Sequence, residues 1–246
     1  MTRIAYLEGP QGRRLAYVKI VGTGPCIVFL SGYKSDMEGT KAVHLEAWAQ
    51  KTGRSFLRFD YSGHGESDGV FEDGCIGDWA DDAQAVIEAV GGGSVVLVGS
   101  SMGGWIASLM TKRISGVVGF VGIAAAPDFT EDGFWAGFSQ MQRDEIMRNG
   151  SVALPSDYGD PYIVTRRLIE DGRNNLVLRA PLAMPFPVRL MQGTEDTAVK
   201  RETALKLLDH IEGTDLRMTF VKGADHRFSE PDCLALMEEA IEQVCG

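Results

Sequence analysis

The sequence predicts an α/β fold, in which a mostly parallel, twisted sheet carries helices on both faces. Short apolar runs alternate along the chain with segments of helical periodicity, which is typical of parallel strands joined by helical crossovers. The runs are nearly continuous rather than alternating polar and apolar, as in strands covered on both faces. A long break in this rhythm predicts a small helical cap inserted after the fourth core strand.

Each element follows from a local pattern. The opening segments, residues 3–7 and 14–20, have no helix between them and predict an antiparallel hairpin at the edge of the sheet. Apolar runs predict the core strands at residues 25–30, 55–59, 94–99, 117–123, 188–191 and 216–221. Apolar residues at three- and four-residue spacing predict helices at residues 41–52, 77–90, 103–114, 199–210 and 231–244.

The break in the rhythm covers residues 128–186, far more than a strand–helix loop needs. We expect helices near 131–148 and 161–171 there, followed by a proline-rich return. The predicted division is therefore a core formed by residues 1–127 and 187–246, and a cap formed by residues 128–186. Such a cap would lie over the carboxyl edge of the sheet, where α/β proteins build their sites.

Composition excludes several classes of protein. The chain has 246 residues, of which 44% are hydrophobic and 24% charged, so it is not predominantly disordered. Its formal net charge of −10 argues against binding to nucleic acid or anionic membranes. The four cysteines have no zinc-site spacing, and we expect no metal or cofactor. Because the beginning of the chain lacks signal-peptide features and no apolar run is long enough to span a bilayer, we expect a cytoplasmic location.

The segment Gly-Ser-Ser-Met-Gly at residues 99–103 ends the third core strand and begins a helix. A Gly-x-Ser-x-Gly segment in this setting forms a sharp, strained turn that exposes the serine hydroxyl at the edge of the sheet. Ser101 is therefore the predicted nucleophile, with the helix N-terminus beneath it available to a developing oxyanion. The alternative interpretation is a tight glycine-rich turn without catalytic function.

A serine nucleophile needs a base, and the base needs an acid that orients it. Among the four histidines, His44 and His210 lie in predicted helices, and His64 precedes the serine in a loop. His226 follows the last strand and is the predicted base. The order nucleophile, acid, histidine along the chain is one that serine hydrolases use.

The acid is expected in the loop after the fifth strand, where Asp196 is the best candidate. Glu195 and Asp225 are its local rivals. Asp225 adjoins His226, but neighbouring side chains usually point apart, so we interpret Asp225 as a loop or cap residue. For the oxyanion we expect two backbone N–H groups, those of Met102 and Tyr33, the latter in the loop after the first core strand.

Aromatic residues cluster near the start of the cap, at Phe134, Trp135 and Phe138. They predict either an apolar wall for an acyl chain or a cap helix packed on the body, and both can hold. Four cap arginines would supply local positive charge or lie solvated on the surface: Arg166, Arg167, Arg173 and Arg179.

Three segments are more specific than the serine motif alone. They are residues 31–42 (Ser-Gly-Tyr-Lys-Ser-Asp-Met-Glu-Gly-Thr-Lys-Ala), 59–69 (Phe-Asp-Tyr-Ser-Gly-His-Gly-Glu-Ser-Asp-Gly) and 98–105 (Val-Gly-Ser-Ser-Met-Gly-Gly-Trp). With the cap segment at residues 154–158, they resemble the α/β-hydrolase superfamily, and within it the mitochondrial palmitoyl-protein thioesterase and acyl-glucuronide esterase branch. The resemblance covers the whole chain. One departure is Ser-Gly where His-Gly commonly follows the first core strand, and another is the lack of a targeting peptide, which favours a bacterial relative.

The resemblance implies an α/β-hydrolase fold and cofactor-free cleavage of an ester or thioester, with Ser101, Asp196 and His226 as the triad. The substrate would be a small-molecule ester or thioester or an S-acylated protein. Two alternatives remain at this point: a general short-chain carboxylesterase, and a non-catalytic ligand-binding protein on the same fold.

Overall fold

The computed structural model describes residues 3–155 and 161–246. Its main sheet has eight strands: β1 (Ala5–Glu8), β2 (Arg14–Ile20), β3 (Thr23–Leu30), β4 (Arg54–Phe59), β5 (Val95–Ser100), β6 (Val117–Ile123), β10 (Val188–Gly193) and β12 (Leu216–Val221). Their order across the sheet is β1-β2-β4-β3-β5-β6-β10-β12. β1 pairs with β2, and β2 with β4, in antiparallel fashion, and the remaining pairs are parallel.

Four shorter strands lie outside this sheet. β7 (Ser151–Leu154) and β8 (Tyr162–Thr165) form an antiparallel pair, and β9 (Leu182–Ala183) pairs with β11 (Ile211–Glu212). The predicted edge hairpin corresponds to β1 and β2, and the predicted core strands to β3–β6, β10 and β12. The helices are α1 (Thr40–Thr52), α2 (Ile76–Val86), α3 (Met102–Arg113), α4 (Gln140–Asn149), α5 (Arg166–Asn174), α6 (Arg201–His210) and α7 (Pro231–Cys245).

The strand pleat divides the core into two layers. Val95 and Leu97 of β5 face the layer that packs under α2, α3 and α6, whereas Val96 and Val98 face the layer under α1 and α7. All four side chains are at most 1% exposed. Because both faces of β5 are covered by helices, each residue of the strand must be apolar or small, which explains the continuous run seen in the sequence.

The predicted helix at residues 131–148 is wrong as a single element. A π-helix covers Phe129–Trp135, and α4 begins only at Gln140. The break is made by a capping box, in which Ser139 Oγ accepts from the backbone N–H of Gln142 and the Gln142 side chain accepts from the Ser139 N–H. The second predicted helix, near residues 161–171, starts later than expected. Its first residues form β8, and α5 begins at Arg166, after the N-cap residue Thr165, whose hydroxyl accepts from the Leu168 N–H.

The β7–β8 pair was not predicted. Four-residue strands are too short to show a clear period in sequence. Residues 156–158 of the cap segment used for the family resemblance lie outside the described residues. The division of the chain at residues 128 and 186 stays a prediction. Within the described ranges, no helix has the length and apolarity that a bilayer-spanning helix requires.

Asp128 ties together the two ends of the inserted segment. It is fully buried in the left-handed region at φ 59°, directly before the π-helix. Its carboxylate accepts from the backbone N–H groups of Val177 (2.8 Å) and Leu178 (3.0 Å) and from Arg179 (3.1 Å). Burial raises the pKa of Asp128 above its usual value, although these donors oppose the shift. The chain leaving the core is thereby anchored to the chain returning to it.

We expect Asp128→Asn to lower the free energy of unfolding by about 2 kcal/mol, measured by urea denaturation. Asparagine tolerates the left-handed conformation, so the loss isolates the missing carboxylate, which served two buried N–H groups. Asp132→Asn is the matched control, because Asp132 bonds the same Arg179 and also Lys206 at the exposed surface. Its cost should stay below about 1 kcal/mol. Equal losses in the two variants would contradict the anchoring role of Asp128.

Candidate active site

Ser101 occupies a strained turn between β5 and α3. Its backbone has φ 54° and ψ −120°, a conformation that costs a residue with a side chain about 1–3 kcal/mol. The turn is held by the Ser101 N–H, which donates to the Ile123 carbonyl at 3.0 Å. A β-carbon on Gly99 would lie 2.4 Å from the Gly103 carbonyl oxygen, and one on Gly103 would lie 2.0 Å from the Leu30 carbonyl oxygen. Glycine is therefore required sterically at Gly99 by the turn and at Gly103 by the packing of α3 against the end of β3.

Ser101, His226 and Asp196 lie in one hydrogen-bonded chain. His226 Nε2 is 3.1 Å from Ser101 Oγ, and His226 Nδ1 is 2.8 Å from Asp196 Oδ2. The three residues follow the carboxyl ends of β5, β12 and β10, which meet at one edge of the sheet because the strands are parallel. Residues 125 positions apart in sequence are thus brought into contact.

The Asp196 carboxylate is fully buried and surrounded by donors. Besides His226, it accepts from Gln192 Nε2 at 2.7 Å and from the backbone N–H groups of Ala198 (2.9 Å) and Val199 (2.8 Å). Burial by itself raises the pKa of Asp196, but the bonds from His226 and the Val199 N–H outweigh it, and the pKa lies below its usual value. Asp196 is therefore ionised at neutral pH.

The two other candidates for the acid have different surroundings. Glu195 is exposed, and Asp225 accepts from the Phe228 backbone N–H at 3.1 Å, as expected of a loop-capping residue. Gln192 was missed by sequence reasoning. Its only signal is its position, one residue before the glycine that ends β10.

The other three histidines are bonded away from Ser101. His44 pairs with Glu238 at 2.6 Å, and His210 Nδ1 lies 2.8 Å from the Lys206 carbonyl oxygen. His64 is buried, with Nδ1 3.2 Å from the Ser62 carbonyl oxygen. Its ring makes edge contacts with the rings of Tyr61, Phe71 and Trp79. These surroundings favour a neutral imidazole, and burial lowers the pKa of His64 to about 4.

Because the usual histidine pKa is 6.5, an unfolded chain takes up a proton at His64 below pH 6.5, whereas the folded chain does so only near pH 4. Stability from His64 is thus fully present above pH 6.5 and lost as the pH falls to 4. We expect the wild type to lose about 3 kcal/mol of unfolding free energy relative to His64→Gln between pH 7 and pH 4. Urea denaturation of both proteins across this range measures the difference. Parallel pH curves would contradict a buried neutral His64.

The loop after β3 approaches Ser101 closely. A β-carbon on Gly32 would lie 3.2 Å from Ser101 Cβ, so only glycine fits there without displacing its neighbours. Tyr33 follows in this loop, and Met102 is the first residue of α3. The Tyr33 ring packs edge-on against the rings of Phe71, Trp79, Phe129 and Phe134 and lies tilted against Tyr162. Burial raises the pKa of the Tyr33 phenol well above its usual value, so the ring stays neutral.

Ser101 and His226 open into a cavity of about 770 Å³. Its aromatic lining consists of Phe29, Tyr33, Phe129, Phe134 and Tyr162. Phe134 thus lies where an acyl-chain wall was predicted. Trp135 and Phe138 are not lining residues: the Trp135 ring lies near the Arg143 and Arg173 guanidinium groups, and Phe138 is buried in the core.

Charge in the cavity comes from residues that sequence reasoning did not single out. The cavity lining includes three basic side chains, those of Lys34, Lys41 and Arg227. Among the lining residues that the structure describes, Asp36 supplies the one carboxylate. Burial lowers the pKa of Lys41 to about 8, partly offset by Asp225. The four cap arginines are absent from this lining. They form ion pairs instead: Arg166 with Glu170, Arg167 with Asp78, Arg173 with Glu131, and Arg179 with Asp128 and Asp132.

Among residues 3–155 and 161–246, no cluster of three or more histidine, cysteine, aspartate or glutamate side chains is arranged to hold a metal ion. At the sheet edge the Ser101 hydroxyl, the His226 imidazole and the Asp196 carboxylate lie in series. Such a series can transfer the serine proton to the imidazole while the carboxylate holds the imidazole tautomer.

The chain is similar to several known proteins. A family model described as the alpha/beta hydrolase family matches residues 27–240. The mitochondrial palmitoyl-protein thioesterase ABHD10 of Bos taurus is 34% identical over 249 residues, which is 99% of this chain and 80% of the relative. A putative hydrolase from Agrobacterium vitis S4 superposes with a TM-score of 0.93 at 38% identity, covering 100% of this chain and 99% of the other. Mouse alpha/beta hydrolase domain-containing protein 10 superposes with a TM-score of 0.90 at 32% identity, covering 98% and 97%.

The resemblance inferred from the three sequence segments is thereby confirmed, as is the predicted fold class. The relative from Bos taurus and the structure from Agrobacterium vitis S4 match nearly the whole chain. This chain belongs to the α/β hydrolase family.

Proposed function

We propose that the protein is a serine hydrolase that cleaves carboxylic ester or thioester bonds through an acyl-enzyme on Ser101. The observation that carries the proposal is the bonded chain from Ser101 Oγ through His226 to the buried Asp196 carboxylate. It stands on a strained turn that opens into a cavity. Strain of this kind persists only where the surrounding structure enforces it, and it concentrates at functional sites.

The proposed reaction uses the contacts of this chain of residues. His226 Nε2 accepts the Ser101 proton as Oγ attacks the carbonyl carbon, and the carbonyl oxygen becomes an oxyanion. The backbone N–H groups of Met102 and Tyr33 are the proposed donors to that oxyanion, each worth about 3 kcal/mol of barrier when well placed. His226 then protonates the leaving alcohol or thiol. In the second half His226 takes a proton from water, hydroxide adds to the acyl carbon, and the acid leaves as Ser101 is reprotonated.

More narrowly, we propose that the substrate is an S-acylated protein, so that the protein is an acyl-protein thioesterase. The relative from Bos taurus is named a palmitoyl-protein thioesterase, and the aromatic lining of the cavity suits an apolar acyl chain. Phe134 is the cap residue we assign to that wall. A general short-chain carboxylesterase is the alternative, since the same three residues serve both reactions. The cytoplasmic location expected from the sequence stays a prediction.

We expect Ser101→Ala to lose at least about a thousandfold in turnover, because the nucleophile is removed while the cavity is kept. The measurement is hydrolysis of p-nitrophenyl esters and acyl-CoA thioesters with acyl chains from C2 to C16. Ser108→Ala is the matched control, since Ser108 is a buried serine on α3 whose hydroxyl donates to the Gly104 carbonyl at 2.8 Å.

The panel separates the candidate functions. Ser101-dependent cleavage that favours long-chain thioesters supports the acyl-protein thioesterase, whereas cleavage of short esters alone supports the carboxylesterase. Wild-type activity in Ser101→Ala would refute the mechanism. Labelling of Ser101 by a fluorophosphonate without turnover of any substrate would favour a ligand-binding protein.

A further inference from the structure

Gln192 is a fully buried polar residue near the end of β10. It lies in β10, paired in register with Phe220 of β12, and is completely buried. The residues around it at the end of the sheet are apolar or glycine: Gly122, Ala125, Leu190, Met191, Ala204, Leu207 and Met218. An apolar side chain of similar size would suit this environment. A glutamine here has to be explained by what its amide binds.

The amide spans the loop that carries Asp196. Gln192 Nε2 donates to Asp196 Oδ2 at 2.7 Å and to the Val199 carbonyl at 3.2 Å, so both of its N–H groups are used. The loop is also closed from within, because Asp196 Oδ1 accepts from the Ala198 and Val199 N–H groups. Gln192 thus fixes the carboxylate from the sheet side while the backbone fixes it from the loop side.

The amide oxygen is left without a partner. Gln192 Oε1 is buried and has no hydrogen bond among the described residues. A buried acceptor without a partner destabilises the folded state. The opposite amide orientation would place Oε1 against the Asp196 carboxylate, where two acceptors repel, so the orphaned oxygen is the consequence of directing Nε2 at Asp196.

The oxygen that Gln192 binds is the one that His226 uses. Asp196 Oδ2 accepts from Gln192 at 2.7 Å and lies 2.8 Å from His226 Nδ1, whereas Oδ1 is occupied by the two backbone donors. The direction in which Oδ2 offers its second lone pair is therefore set by the bond from Gln192. A donor on Oδ2 also withdraws part of the negative charge that stabilises a protonated His226.

We propose that Gln192 is a positioning residue of the hydrolytic site, which aims the Asp196 carboxylate at His226 and moderates its pull on the imidazole proton. This inference rests on the proposed function of the Ser101–His226–Asp196 chain. Gln192 lies in β10 and is not among the lining residues of the cavity, yet in this proposal it affects the reactivity of Ser101.

The test uses Gln192→Met, which keeps the volume and removes both N–H donors. Without the donor, the Asp196 carboxylate is held only by the backbone N–H groups on Oδ1, and Oδ2 keeps more of its negative charge for imidazolium. We therefore expect a loss of about tenfold in the rate at which a fluorophosphonate labels Ser101, together with a shift of the rising limb of the pH–rate curve to higher pH. In this reaction Ser101 Oγ bonds to phosphorus, fluoride leaves, and His226 takes the serine proton, so no natural substrate is needed.

Two further variants make the result specific. Gln192→His restores an Nε2–H donor at the same number of bonds from Cα, and it should recover most of the rate at pH 8, where an unperturbed imidazole is neutral. Gln243→Met is the matched control, since Gln243 bonds Arg189 at 2.7 Å outside the site, and should leave the curve unchanged. Charged residues beside His226, namely Lys41, Asp225 and Arg227, are the same in every protein compared.

The rate constants are measured from pH 5 to pH 9, with intact mass to count adducts and thermal unfolding to verify folding. A slower Gln192→Met with a shifted limb, rescued by histidine, supports the inference. A wild-type rate and an unshifted limb in Gln192→Met would overturn it, as would a rate loss without a shift, which indicates a merely structural residue. Absence of any Ser101 label in the wild type would instead count against the proposed function itself.

Discussion

The site depends on the close approach of three backbone segments around Ser101. β5 must turn into α3 within one residue, and the end of β3 must pass beside that turn. Gly99 allows the first contact, since a β-carbon there would lie 2.4 Å from the Gly103 carbonyl oxygen. Gly103 and Gly32 allow the second, since their β-carbons would lie 2.0 Å from the Leu30 carbonyl oxygen and 3.2 Å from Ser101 Cβ. The positive φ of Ser101 is the cost of this packing, and the covered sheet beneath supplies the stability that sustains it.

From this constraint the remaining geometry follows by strand order. β6 neighbours β5, β10 lies beside β6, and β12 lies beside β10, so loops far apart in sequence place Asp196 and His226 near Ser101. The segment between β6 and β10 also lines the site. Its start and return are fixed at Asp128, and its Phe134 ring lies 6.1 Å from the Tyr33 ring between ring centroids. This segment and the loop after β3 therefore share the wall of one cavity.

The features that the sequence predicts correctly are those defined by periodic patterns and by the order of motifs. The core strands and the three residues of the bonded chain were predictable because continuous apolar runs and the Gly-x-Ser-x-Gly turn have few alternative structures. The cap was less predictable: β7 is only four residues long, and a capping box at Ser139 divides what the periodicity presents as one helix. Gln192 and Lys41 were missed because their roles depend on three-dimensional neighbours, and no local pattern distinguishes them from other polar residues.

The central claim is that Ser101 and His226 act as one catalytic unit. The most direct measurement is a double-mutant cycle on turnover of an activated aryl ester, using Ser101→Ala, His226→Ala and the combined variant. If the two residues act only together, each single substitution removes the whole contribution, and the double variant is no slower than either single one. Losses that multiply in the double variant would contradict the account, because they would mean that Ser101 and His226 contribute independently.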